Sequence, residues 1–337
     1  MFVTSILLEK FLLMDFDAIS KNLRLKISKV YETIQGGNSS VVKAKLKDDS
    51  FIAVKIYKGD SARIQRMLDR EQSAIAYLAS NGFLNIPEIL EVRKDLNLIV
   101  FRWIDGVLPI PNTNCMDAII EMCLALCDLD KKHKFESAID AGFWLGDIES
   151  QIRNRILQFR NESMNLYSKE ISLSLEGKLR KYKAIFKKNQ ILLPLTLSVS
   201  DLGTHNMLYT DKGYKFIDFE FFGRDSVDKM VGDFLLHPRD EFKSDEINRF
   251  KKKMTSELGW QSENLRVTLP ILTLKWAAIA FKREFKDINK SFGSENVFRD
   301  KVIFESIGGK YLEYFEYLIA GETVDSASTF NLFTARI

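Results

Sequence analysis

The chain has 337 residues, 46% hydrophobic and 28% charged, an ordinary balance for a globular protein large enough to form two lobes. Its 49 basic and 46 acidic residues leave a formal charge of +3, too even to argue for a nucleic-acid partner. Three cysteines, Cys115, Cys123 and Cys127, stand without a histidine at metal-ligand spacing, so they read as reduced thiols of a cytoplasmic protein rather than a disulfide frame or a zinc site.

The first 22 residues form an extension beginning MFVTSILLEKFLLMD. It is apolar, carries Glu9 and Lys10 in mid-run and lacks a basic lead, so neither a signal peptide nor a transmembrane segment is predicted. An amphipathic helix packing on the next lobe or on a second subunit is the expectation. Gly36, Gly37, Asn38 and Ser39 follow, a turn whose backbone N–H groups can face inward and hold phosphate oxygens. A lone Gly-Gly is equally an ordinary hairpin turn, and the motif is not that of a P-loop.

Val42, Ala44 and Leu46 alternate with Lys43, Lys45 and Lys47, which predicts a strand with one wet face. The next strand sets Ile52, Val54 and Ile56 on one side and Phe51, Ala53, Lys55 and Tyr57 on the other, apart from the solvent lysines. Ser61 is predicted to cap a helix over 62–80, stopped by Asn81-Gly82. Its apolar stripe is Ile64, Met67, Leu68, Ile75 and Leu78, and Glu71 falls inside it. A carboxylate there is costly unless paired, and Lys55 is the expected partner; the alternative is a Glu71 that rims the stripe and reaches water.

Beyond residues 100–106 (VFRWIDG) the chain is predicted to become mostly helical, with helices over 115–130, 147–160 and roughly 176–188. Residues 198–220 (SVSDLGTHNMLYTDKGYKFIDFE) then break the pattern. Asn206 leads into a strand, Thr210-Asp211-Lys212-Gly213 turns the chain, and the returning strand delivers Asp218 to the same end of the hairpin. An amide oxygen and a carboxylate are hard ligands that suit Mg²⁺ when phosphates complete its shell. Asp201, on the preceding loop, is left as a base, which is the division of labour phosphoryl transfer from ATP requires. Taken singly, Asp201 also reads as a loop cap, Asn206 as a turn residue and Asp218 as a strand-end acid. Farther on, residues 265–288 are apolar on one side with Pro270 near a helix start, and a last helix is predicted over 306–320.

In this order, the glycine turn, the lysine of Ala53-Val54-Lys55, Glu71, Asp201 with Asn206, the hairpin and the acid of IDFE resemble the aminoglycoside phosphotransferase and choline kinase family, over about residues 23–290. The resemblance implies an α+β, protein-kinase-like two-lobed fold: a small antiparallel-sheet N-lobe with one main helix over 23–103 and a larger helical C-lobe over 104–337 holding the catalytic loop and acceptor pocket. It implies ATP and Mg²⁺ as cofactors and a small-molecule hydroxyl as acceptor: an aminoglycoside, a choline-like amine alcohol or a sugar. Lys55 would contact the α- and β-phosphates, oriented by Glu71, with Gly36, Gly37, Asn38 and Ser39 as phosphate loop. Phe101 and Trp103 would belong to the hinge whose backbone pairs with adenine. Asp201 would be catalytic, Asn206 and Asp218 would bind the metal, and Asp233 would support the catalytic loop.

The family has His-Gly before its catalytic aspartate, whereas this chain has Val199-Ser200. That departure motivates a second reading, a nucleotide-binding pseudokinase acting as scaffold or regulator. Phosphorylation of protein side chains is a third. For the acceptor, the acids Asp240-Glu241 and Asp245-Glu246 suggest a cationic amine, and Trp144, Trp260 or Trp276 an aromatic cage for a quaternary amine; their default roles are solvated loop and core packing.

Overall fold

The computed structural model describes residues 23, 25–132, 147–162, 166–186, 195–238, 242–260, 262–291 and 306–321. The expected N-terminal helical extension, Trp144 and the Asp240-Glu241 pair lie outside the described residues. The chain divides into two compact units, Met1–Pro109 with Thr204–Gly223, and Ile110–Gly203 with Arg224–Ile337.

The first unit is built on a five-stranded antiparallel sheet in the order β1-β2-β3-β5-β4, from β1 (Ile27–Gln35), β2 (Ser39–Leu46), β3 (Phe51–Tyr57), β4 (Ile89–Arg93) and β5 (Leu98–Arg102). Register explains its two faces. Val42 pairs with Val54 and Ala44 with Ile52, and these join Leu23, Ile27, Ile56, Leu98 and Val100 in one core. Lys43 pairs with Ala53, Lys45 with Phe51 and Val41 with Lys55, and directly opposed residues share a face. The lysines of β2 therefore lie on the same side of the sheet as Lys55, not apart from it as alternation alone suggested. Aromatic rings receive the charge there: the Lys43 ammonium sits 5.0 Å from the Phe51 centroid and 4.3 Å from that of Trp103.

Helix α1 (Ser61–Ser80) buries Ile64, Met67, Leu68, Glu71, Ala74, Ile75 and Leu78 along one stripe. Its cap is Asp60, whose carboxylate accepts from the Arg63 N–H at 2.9 Å, so Ser61 is the first helical residue rather than the cap. Asn81 ends the helix, and Gly82 follows at φ +82°, a left-handed conformation that suits glycine.

The predicted hairpin is present as β7 (Met207–Thr210) and β8 (Gly213–Phe216). Two hydrogen bonds between Val107 and Tyr209, of 3.0 and 2.7 Å, tie it to the segment after β5. Gly106 permits that approach, because a Cβ there would lie 2.9 Å from the Tyr209 carbonyl oxygen. The Phe216 N–H donates to Asn85 at 2.8 Å, which fixes the other strand to the turn after α1.

The second unit is mainly helical: α2 (Thr113–Lys132), α3 (Ile148–Glu162), α4 (Leu166–Phe186), α5 (Val227–Leu236), α6 (Ser244–Leu258), α7 (Leu265–Ser291) and α8 (Ile307–Ile319). Two short strands, β6 (Leu195–Ser198) and β9 (Gly223–Ser226), pair with each other. α4 begins ten residues before the helix predicted over 176–188, since its first two turns carry Ser168 and Ser172, polar by letter yet buried. Pro270 lies in the sixth position of α7, near its start, and the helix is approached through a 3₁₀ turn at Ser262–Asn264. Asp245 and Glu246 occupy the first turn of α6, and Glu246 accepts the Lys243 N–H at 2.8 Å, a capping bond rather than a free acidic patch. Cys115, Cys123 and Cys127 are buried thiols outside any disulfide, with burial pushing the Cys123 thiol up to about 12. Among the described residues no helix is long and apolar enough to cross a membrane.

Candidate active site

Strand β3 projects Lys55 into a pocket of three carboxylates. Its Nζ lies 2.6 Å from Glu71 Oε2, 2.7 Å from Asp218 Oδ1 and 3.2 Å from Glu220 Oε2. Lys55, Glu71 and Glu220 are closed off from water, whereas Asp218 is about one-third exposed. Burial alone would lower the Lys55 ammonium; Asp218 and Glu71 outweigh it and hold the group well above its ordinary value.

Glu71 is held by more than the lysine. Its Oε2 also accepts the buried Tyr57 hydroxyl, and its Oε1 accepts the Phe219 N–H at 3.2 Å. One carboxylate on α1 thus joins two residues of β3 to the backbone of IDFE. Burial drives the Tyr57 hydroxyl well above its ordinary value, with Glu71 adding to the rise, so it stays a donor.

Asp218 reaches Lys55 because the hairpin returns it there. The Ile217 N–H donates to the Asn206 carbonyl at 2.9 Å, so Asn206 and Asp218 stand at one end of the hairpin. Asp218 adopts φ +67°, a left-handed conformation that strains a residue with a side chain. Phe219 anchors the segment, fully buried and paired with Phe222 at 6.2 Å between ring centroids.

Glu71, Asp218 and Glu220 each offer an oxygen within 4.8 Å of the others. Three carboxylates against one ammonium leave an excess of negative charge. Burial pushes the Glu220 carboxyl up to about 7, Lys55 opposing the rise and Asp218 adding to it. Glu220 Oε2 has no hydrogen-bond partner, its neighbour being the ion pair to Lys55. A divalent cation would relieve this excess, and the oxygen donors suit one. Glu220 is not among the expected site residues, although it stands two residues after Asp218 in IDFE.

The glycine turn joins the same cluster through Asn38. Its Nδ2 donates to Glu220 Oε1 at 2.8 Å, and its Oδ1 accepts from Arg63 at 2.7 Å. The Gly36 N–H is committed to the Ser39 carbonyl at 2.9 Å, and Ser39 is buried as the first residue of β2. At the hinge, Phe101 sits in the ladder opposite Ala53, and the Trp103 N–H donates to the Phe51 carbonyl at 3.0 Å. The Trp103 N–H is thus used by the sheet. A cavity of about 370 Å³ adjoins Trp103, lined also by Lys43, Phe51, Arg102 and Asp105.

Asp201 and Asp233 belong to the second unit. Asp201 follows Ser200, which adopts φ +65°. On α5, Asp233 accepts from Trp276 Nε1 at 2.9 Å and pairs with Lys275 at 2.5 Å and Lys229 at 3.0 Å. Lys229 also pairs with Asp225 at 2.7 Å. Burial pulls the Lys275 ammonium down to about 8, opposed by Asp233 and reinforced by Lys229. Nothing in the sequence periodicity marked Lys229, because nearly every position of its ten-residue helix is buried and no stripe stands out. Trp276 packs on His237 and Tyr311 while bonded to Asp233, and Trp260 is buried in the core. These contacts give both tryptophans packing roles in place of an aromatic cage.

No protein-family model matches the chain, and no curated protein sequence matches it. Solved structures do. A choline kinase from Streptococcus pneumoniae superposes with a TM-score of 0.61 at 15% identity, covering 93% of this chain and 99% of that one. An amicoumacin kinase in complex with AMP-PNP and Ca²⁺ gives 0.59 at 11% identity, over 94% and 96% of the two chains. A spectinomycin phosphotransferase in complex with ADP and spectinomycin gives 0.55 at 13% identity, over 94% and 97%. Together with the antiparallel sheet and the helical second unit, these similarities give the chain the α+β, protein-kinase-like fold of choline kinases and aminoglycoside phosphotransferases.

Proposed function

We propose that this protein is a member of the aminoglycoside phosphotransferase and choline kinase family that moves the γ-phosphoryl group of ATP to a hydroxyl of a small molecule. The observation that carries the reading is Lys55, held by Glu71 and Asp218 at 2.6 and 2.7 Å in a buried cluster with an excess of carboxylates. A merely structural ion pair is most economical with one acid per base; surplus acid beside a fixed lysine suits a site that receives a cation and polyphosphate.

Lys55 would hold the α- and β-phosphates, kept in place by Glu71. Asn38 and Ser39, with Gly36 and Gly37, would close over the phosphates. Asn206 and Asp218 would hold a divalent cation, which supplies neutralisation of phosphate charge when bound. Asp201 would orient the acceptor hydroxyl and take its proton as the new P–O bond forms and the bond to the β-phosphate oxygen breaks. The rest of the contribution is position and fixed charge. The acceptor class rests on the similar structures, a choline kinase, a spectinomycin phosphotransferase and an amicoumacin kinase. Lobes over 23–103 and 104–337 and a cytoplasmic location, where free thiols and ATP coexist, belong to the same proposal.

Incubation with Mg²⁺ and ATP labelled at the γ-position, against a panel of amino alcohols, aminoglycosides and sugars, tests it. Label transferred to one acceptor class, lost in Asp201→Asn, is expected. Tight nucleotide binding with no transfer to any acceptor would instead favour a nucleotide-binding scaffold.

A further inference from the structure

The second unit buries a charge cluster that phosphoryl transfer does not itself use. Lys229 is fully buried, and its ammonium lies 2.7 Å from Asp225 Oδ2, 3.0 Å from Asp233 Oδ2 and 3.2 Å from Ser200 Oγ. An ammonium has three hydrogens, and here three oxygens from three different parts of the chain surround it. The two carboxylates already balance its charge. The third contact, to a neutral hydroxyl, serves something other than charge balance.

That hydroxyl belongs to the residue directly before Asp201. Ser200 stands at φ +65°, where glycine sits without strain and a side chain costs about 1–2 kcal/mol. The resembling family has glycine at this place and histidine before it, while this chain has Val199-Ser200. A serine kept in a glycine conformation brings one thing glycine lacks, the oxygen that Lys229 reaches. Its N–H is also tied down, donating to Ser198 Oγ at 2.9 Å. The strained conformation is thus fixed from both ends, as a residue in a sparsely populated region must be.

We infer that Lys229, acting through the Ser200 hydroxyl, is a positioning residue that fixes the loop presenting Asp201, in place of the histidine that the resembling family carries before its aspartate. The inference rests on the phosphotransfer reading of Asp201. It extends to Asp225 and Asp233, which hold Lys229 in turn, and gives the buried lysine of α5 a task that the fold alone does not require.

Ser200→Gly separates positioning from folding, because the two roles move in opposite directions. The substitution releases backbone strain and removes the hydroxyl. The steady-state rate of Mg²⁺-dependent ATP hydrolysis without acceptor is measured for the wild type, Ser200→Gly and Ser200→Ala, together with the thermal midpoint. For Ser200→Gly the expected result is a midpoint equal to or above the wild type, KM for ATP within about twofold and kcat lower by at least about tenfold. Ser200→Ala, which keeps the strain, is expected to lose kcat similarly with a lower midpoint. Wild-type kcat in Ser200→Gly overturns the positioning role and leaves the phosphotransfer reading standing. For Ser200→Gly, a fall in kcat accompanied by a midpoint below the wild type overturns it as well, since the hydroxyl would then be structural. A wild-type protein that transfers phosphate from ATP neither to water nor to any acceptor of the panel overturns the phosphotransfer reading, and the positioning role with it.

Discussion

Lys55 Nζ stands 2.6 Å from Glu71 Oε2, with both side chains closed off from water. Such a pair is weak evidence of net stability but costly to break from one side, because the remaining charge stays buried. Lys55→Met leaves Glu71 and Glu220 facing Asp218 without a cation, and a loss of about 3–5 kcal/mol is expected by urea denaturation. Glu71→Gln keeps an acceptor for the Phe219 N–H and costs less. The double substitution should cost less than the two single losses together, a coupling of about 0.5–3 kcal/mol in a double-mutant cycle. Additive losses would mean that the pair is not energetically joined.

Asp201→Asn removes the negative charge and the proton-accepting oxygen while keeping the side chain's size and one acceptor oxygen. Turnover should fall by a factor of about 10²–10⁴, with nucleotide affinity unchanged. Initial rates beside a calorimetric titration with a non-hydrolysable ATP analogue check both halves. Loss of nucleotide affinity alongside turnover would assign Asp201 to binding.

Gly106→Ala tests the backbone approach that holds the hairpin carrying Asp218. The added Cβ would meet the Tyr209 carbonyl oxygen at 2.9 Å and the Thr210 side chain at 3.0 Å, and carbonyl oxygen in a paired ladder has little room to give. A destabilisation of about 1–3 kcal/mol is expected from such overpacking, read as a lower denaturation midpoint. An unchanged midpoint would show that the Val107–Tyr209 bridge yields freely.

Much of the first unit was legible because its signals are local. The turn at 210–213, the alternation around Lys55 and the stripe of α1 each show in a few consecutive letters, and Glu71 stood out as an acid in an apolar stripe. What escaped was set by pairing. Only the register of β2 with β3 puts Lys43 and Lys45 on the Lys55 face. Tyr57 looks like any strand aromatic until α1 brings Glu71 to its hydroxyl. Asp60 took the cap because either it or Ser61 suits the position by chemistry, and the backbone decided between them. Lys229, 0% exposed, runs against the rule that lysine faces water, and no spacing reveals the Asp225, Asp233 and Ser200 oxygens that compensate for it.

Lys275 makes stability depend on pH in a direction set by its burial. Its ammonium titrates at about 8 in the fold, against 10.5 for an ordinary lysine, with Asp233, Lys229 and Asp201 as the charges acting on it. Between these values the unfolded chain holds more protons than the folded one, so this group's contribution to stability rises with pH. Its cost is fully present below about pH 8 and is relieved as pH climbs toward 10.5. Wild-type protein should therefore gain stability relative to Lys275→Met between pH 7.5 and 9.5, by about 1–2 kcal/mol in paired urea titrations. Parallel pH curves for the two proteins would show that burial does not lower the Lys275 ammonium in the fold.

Phosphoryl transfer by this protein requires that the Lys55 cluster receive a metal-bound nucleotide. Calorimetric titration of the protein with AMP-PNP, with Mg²⁺ and with EDTA, for the wild type and Asp218→Asn, measures this directly. Saturable binding at one site per chain, strong with the metal and weakened at least about tenfold by its removal or by Asp218→Asn, is the predicted result. Absence of binding at millimolar nucleotide, or binding indifferent to both the metal and Asp218, would contradict it.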